Sequence, residues 1–118
     1  MRHLSCALTK EQIRARSKHV TRRLRWFMAH PGMLLQVVEK SMGRKPGEPL
    51  VKLAVIRVTD VRREPLSRMI HEPEYGRAEA ALEGFPELDG FEFACMFARE
   101  MGCDITKKIT RIAFEYVD

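Results

Sequence analysis

Alternating apolar and polar positions mark much of the chain as strand. HLSCAL (3–8) alternates. HVTRRLRW (19–26) puts Val20, Arg22 and Leu24 on one face and His19, Thr21 and Arg23 on the other. MLLQVVEK (33–40) follows a turn at HPG (30–32). VKLAVIRVTDVRREPL (51–66), dense in Val and Ile, is the longest strand signal; a Gly/Pro loop (43–49) precedes it and Pro65 ends it. KITRIAFEYV (108–117) alternates as a last strand.

Helical signals are fewer. TKEQIRAR (9–16) predicts a short helix, with Thr9 as its cap and Gln12 at the capping-box spacing. LDGFEFACMFAREMG (88–102) predicts the best one, capped by Asp89 and Glu92 and closed by Gly102. Between them, residues 67–87 are polar and carry Pro73, Gly76 and Pro86, which predicts a loop with one short helix. Five to six strands and two to three short helices, joined by loops instead of helix-length crossovers, predict a small α+β barrel. Phe91, Phe97, Ile112 and Phe114 are assigned to its core, with Phe27 more a core residue than a ligand contact and Cys95 a small buried hydrophobe.

At 118 residues, 45% apolar and 31% charged, the chain is expected to form one soluble domain spanning 1–118. No apolar run reaches a membrane span, and the start lacks the apolar stretch of a signal peptide. Three cysteines at no CxxC spacing argue against a disulfide scaffold, so a cytoplasmic setting is expected. The net charge of +5 is unevenly spread: residues 1–25 hold eight Lys or Arg against one acid, while 72–104 hold nine acids against two arginines. One basic end could attract a phosphate or a polyanion.

Several chemistries lack their motifs. There is no Gly-rich phosphate loop, G-x-S-x-G, H-E-x-x-H or zinc-deaminase signature, and the four histidines sit apart from the cysteines. Neither a metal nor a cofactor is expected. SKHVTRRL (17–24) is the remaining candidate. Lys18 and Thr21 lie three apart where a short helix meets a strand, and a hydroxyl beside a desolvated amine can act as nucleophile and base. The same spacing is common by chance and a lysine there is ordinarily solvated, so these residues alone leave catalysis and a charged strand edge both open.

LTKEQIRARSKHVTRRL, HPGMLLQVV, IRVTDVRREPLSRM, LEGFP and ITRIAFEYV, in this order over nearly the whole chain, resemble the ASCH domain family, whose fold is a PUA-like mixed β-barrel. Where relatives carry P-G-D this chain has PGM at 31–33, a change expected to touch a turn. The resemblance implies a cleft for a nucleobase. In some members an amidohydrolase removes the acyl group from N4 of cytidine-type compounds with a Lys, a Thr and a Glu, which map onto Lys18, Thr21 and Glu83. The implied ligand is then a pyrimidine nucleoside, with Trp26 and Tyr75 stacking the base and Arg22 and Arg23 near a phosphate. RNA binding without catalysis is the alternative. A ribonuclease using Lys18, His19 and Arg23 comes third. The oligomeric state is left open.

Overall fold

The computed structural model describes all 118 residues, as five strands and four helices. β1 (Arg2–Ser5) leads to α1 (Lys10–Arg14), β2 (Val20–Arg23), β3 (Leu34–Val38) and β4 (Lys52–Pro65). α2 (Arg68–His71), α3 (Pro73–Leu82) and α4 (Gly90–Met101) follow, and β5 (Lys108–Tyr116) is last. The strands form one mixed sheet in the order β1-β3-β4-β5-β2, with β1 parallel to β3 and every other pairing antiparallel. β4 is the spine: its first half pairs with β3, its second half with β5, and a bulge between Val58 and Asp60 bends it. The sheet curls into a half-barrel with β1 and β2 as its two edges.

Two apolar cores result. One fills the curl of the sheet and is built on Leu4, Leu35, Val37, Ile56, Ile112 and Phe114. The other lies where the helices cover the far end, built on Leu66, Met69, Phe93, Phe97 and Ile109. α4 supplies Phe93, Ala94 and Phe97 from one face, and each Phe contributes about 1.5–3 kcal/mol by leaving water. Its ends are as expected: Asp89 and Glu92 make the reciprocal capping box, and Gly102 closes it in the left-handed conformation (φ 64°).

Other expectations fail for identifiable reasons. Residues 67–87 hold two helices, not a loop with one. Pro73 stands in the first turn of α3, where it has no backbone bond to lose. Gly76 lies inside α3 because the backbones of Met69 and Gly90 pass against it; a Cβ there would overlap the Met69 carbonyl oxygen. Thr9 makes no side-chain cap on α1. Gln12 instead reaches across to donate to the Gly84 carbonyl at 3.2 Å. Phe27 and Phe91 are exposed, not core, and Cys95 faces solvent. No helix is long and apolar enough to cross a membrane.

Candidate functional site

The segment between α1 and β2 sets the site. α1 ends with Arg16 in the left-handed region (φ 57°), Ser17 N bonding Gln12 O at 2.9 Å and Arg16 N bonding Ile13 O at 3.1 Å. This is a Schellman-type stop, and it turns the chain sharply inward. The next two residues are strapped from both sides. His19 N donates to Leu82 O at the end of α3 (2.7 Å), and Phe114 N of β5 donates to His19 O (3.1 Å). The Tyr116 hydroxyl donates to the Lys18 carbonyl at 2.6 Å. Lys18 is thereby carried into the interior and is 3% exposed, so it is not a solvated lysine at a strand start.

α3 brings the acids. Tyr75, Glu79 and Glu83 are spaced by four, so they share one helical face, and that face lies against β2, β4 and β5. Glu83, at the C-cap of α3, accepts from Lys18 Nζ at both its backbone carbonyl and Oε1, 2.8 Å each. Its Oε2 accepts from Arg22 NH1 at 3.1 Å. Lysine has three ammonium donors, so Lys18 keeps one with no protein acceptor.

Beneath this pair lies a buried charge cluster. The strand register sets Arg22, Arg111 and Arg62 side by side across β2, β5 and β4, an arrangement that would repel without counter-charges. Glu79 fills that role, accepting from Arg22 NH2 at 2.5 Å and from Arg111 at 2.5 and 2.9 Å. Glu64 stands 3.6 Å from Arg22 and accepts from the Tyr75 hydroxyl at 2.8 Å. The buried charges balance: Lys18, Arg22 and Arg111 against Glu64, Glu79 and Glu83. Burial would raise the pKa of Glu79, but Arg111 and Arg22 outweigh it and pull it down to about 2. Burial likewise works against the Arg22 charge, and Glu83 and Glu79 more than restore it. Burial and the bond to Glu64 push the Tyr75 hydroxyl up. Arg22 Nε is the one buried side-chain polar atom without a partner.

A cavity of about 270 Å³ opens on the Lys18–Glu83 pair. Thr21 and Arg23 of β2, and Ser5 and Cys6 from β1 and its end, line one side. Phe85, Phe93, Met96 and Phe97 form an apolar wall opposite, with Leu8, Glu100 and Met101 completing the lining. The volume is just under the roughly 300–1,000 Å³ of small-molecule pockets, enough for a base and its substituent but not for a duplex. Thr21 Oγ1 accepts from Arg23 Nε at 3.2 Å, and Arg23 NH2 also reaches Cys6 Sγ at 3.4 Å. Thr21 is not hydrogen-bonded to Lys18. No three His, Cys, Asp or Glu side chains converge as a metal-ligand set.

The expected site residues therefore divide. Lys18, Thr21, Glu83 and Arg23 meet at the cavity. Arg22 also borders it, but its side chain has no exposed surface, and its two terminal nitrogens bond Glu83 and Glu79 while Nε stays unpartnered. Trp26 and Tyr75 do not line the cavity: Trp26 packs on the sheet core beneath Arg2, and Tyr75 bonds Glu64 under Arg68. Phe85, Phe93 and Phe97 provide the aromatic walls instead. The α4 pattern placed Phe97 on an apolar face, but only the cavity distinguishes core from lining.

No family model matches the sequence, and no curated protein matches it. Solved structures share the fold. A DUF984 protein from Enterococcus faecalis V583 superposes with a TM-score of 0.57 at 18% identity, over 94% of this chain and 71% of that one. An ASCH domain from Lactobacillus crispatus JV V101 does so with a TM-score of 0.57 at 18% identity, over 92% and 70%. At this identity the likeness is one of architecture. The chain is a small α+β domain with an ASCH-like fold and a buried ion pair at the wall of a base-sized cavity.

Proposed function

We propose that the protein hydrolyses the exocyclic amide of N4-acylated cytosine nucleosides, with Thr21 as nucleophile and the Lys18–Glu83 pair as its proton relay. One observation carries the reading: a 2.8 Å lysine–glutamate pair, both side chains 3–4% exposed, in a cavity wall shared with a threonine hydroxyl. A buried ion pair contributes little net stability against apolar residues of the same volume, so its position beside a cavity calls for another reason.

The chemistry balances on these groups. Thr21 Oγ attacks the acyl carbonyl while its proton passes to Lys18, and Lys18 hands one of its own to Glu83. Lys18 remains an ammonium ion, and its spare donor offsets the charge on the tetrahedral oxygen. Glu83, now protonated, gives that proton to N4, and cytosine leaves as the neutral amine. Water then attacks the acyl-threonine ester; Glu83 takes its proton, and the Thr21 oxygen regains one as the acid departs. The Arg23 Nε bond to the Thr21 oxygen holds the hydroxyl in place before substrate arrives. The aromatic ring makes cytosine a better leaving group than an alkylamine, so a small site suffices.

The test is turnover of N4-acetylcytidine by the purified protein, followed by ultraviolet absorbance. Wild type is expected to turn over, Thr21→Ser to keep measurable activity, and Thr21→Ala and Lys18→Ala to fall by at least about 100-fold. Absence of wild-type turnover, or full activity in Thr21→Ala, defeats the reading.

A further inference from the structure

The first cavity uses one flank of α4, through Met96 and Glu100, and leaves the other flank outside it. That second flank carries Phe91, Cys95, Ala98 and Gly102, spaced by four, three and four, so they form one stripe about 16 Å long. Phe91 stands at its start, 58% exposed; Cys95 faces solvent and Ala98 is half-buried. Where the stripe ends, Gly102 borders a second concavity of about 360 Å³, which Phe27, 70% exposed, also lines. These are the two aromatic side chains that the fold leaves mostly in water. At Phe27 the exposure comes with strain, since the preceding Trp26 takes a left-handed conformation (φ 61°) that a bulky side chain rarely adopts. The two rings sit in opposite charge. Glu87, Asp89 and Glu92 flank Phe91 without a salt bridge, the latter two bonding only backbone N–H groups at the α4 cap. Arg25, Arg63 and Lys107 line the concavity at Phe27, with the Arg63 guanidinium carbon 4.5 Å from the ring centroid. The one acid there, Asp104, already bonds Thr106.

We infer that this flank of α4 joins two copies of the chain, with the two α4 helices antiparallel and Phe91 of each copy seated beside Phe27 of the other. Charge complementarity selects the occupant: the acids around Phe91 meet the cations around Phe27, and the two rings form the apolar centre of each contact. The stripe sets the geometry. Ring and concavity lie at opposite ends of one helix, so reversing the second helix brings both ends into register at once. The contact then closes under a twofold axis, the same surface serving both copies. Cys95 and Ala98, at the middle of the stripe, are small enough for the helices to approach closely. The cavity flank of α4 stays uncovered, so this face stands without the hydrolase reading.

Sedimentation velocity over a range of protein concentrations tests it. Wild type is expected to be mostly dimer by about 100 μM, the regime of a small interface. Phe91→Ala and Phe27→Ala, both at exposed positions, should each weaken the dimer at least about tenfold, because the twofold axis repeats every loss. Lys107→Glu and Glu87→Lys should each do the same by setting like charges face to face. An equimolar mixture of these two charge variants should recover association to within about threefold of wild type, since the two altered sites then face each other and the two unaltered sites do likewise. That recovery carries the test should a Phe variant fail to fold. The inference falls if wild type is still monomeric at about 500 μM. It falls if neither charge variant weakens association, if their mixture recovers nothing, or if both Phe variants dimerise like wild type. Species that grow beyond a dimer with concentration also overturn it, since they mark an open chain of copies.

Discussion

Lys18 Nζ donates to the backbone carbonyl and to the carboxylate of Glu83, 2.8 Å in each case, so one residue holds the lysine twice. The carboxylate serves Arg22 as well, and the pair is therefore unequal. Glu83→Ala leaves two buried cations short of a partner and should cost about 3–5 kcal/mol. Lys18→Met leaves Glu83 bonded to Arg22 and should cost less than half as much. Urea unfolding of the two variants measures the difference; equal losses would show that Arg22 does not support Glu83.

Glu79 gives the protein an acid-sensitive element. Its pKa is about 2 when folded, against about 4.5 for a free glutamate, so its contribution is present above pH 4.5 and is lost as pH falls toward 2. The amount is on the order of 3 kcal/mol. Stability measured against pH should fall through that window in wild type. In Glu79→Gln this part of the slope should disappear, and stability at neutral pH should already be low.

Tyr116 acts at the opposite end of the scale. Burial, reinforced by the nearby Cys6, pushes its hydroxyl up to about 12 in spite of Arg16. A pKa raised by folding means that stability is complete below about pH 10 and declines as pH rises toward 12. Ultraviolet titration should show one tyrosine ionising near pH 12, absent from Tyr116→Phe. That variant also frees the Lys18 carbonyl and should lose about 1 kcal/mol.

Gly76 and Gly90 face each other where α3 crosses α4, with the Met69 carbonyl between them. A Cβ on Gly76 would come within 2.8 Å of Gly90 Cα as well as overlapping that oxygen. Helix propensity favours Gly76→Ala by about 1 kcal/mol, but the clash is with backbone and has nowhere to go. The variant should be destabilised by about 2 kcal/mol or more, read as a lowered melting temperature.

These residues also show how much of the fold was legible. Strand alternation located all five strands, because each shows one face to a core and the other to something polar. Breakers misled in residues 67–87, where Pro73 starts a helix and Gly76 lets two backbones meet. That error hid the site's foundation. Once 73–82 is a helix, the spacing of Tyr75, Glu79 and Glu83 puts two acids on one face, ready for buried cations. From sequence Arg22 reads as a neighbour of a substrate phosphate, and its protein partners lie 57 and 61 residues away in sequence. Only the packing of α3 on the sheet brings Glu79 and Glu83 to it. Phe27 escaped for a comparable reason: periodicity cannot register a backbone turned left-handed at Trp26.

The half-barrel leaves β1 and β2 with one hydrogen-bonding neighbour each, and the first cavity takes its polar wall from both. Unpaired strand edges ordinarily invite other chains to add to a sheet. Here an Arg23–Cys6 contact spans the gap and α4 roofs it. The incomplete closure thus leaves an opening between the two edges through which a guest can reach Lys18 and Thr21, and it sets α4 beside both edges. Mutations that loosen α4 should accordingly be felt first as aggregation, before the rest of the sheet gives way.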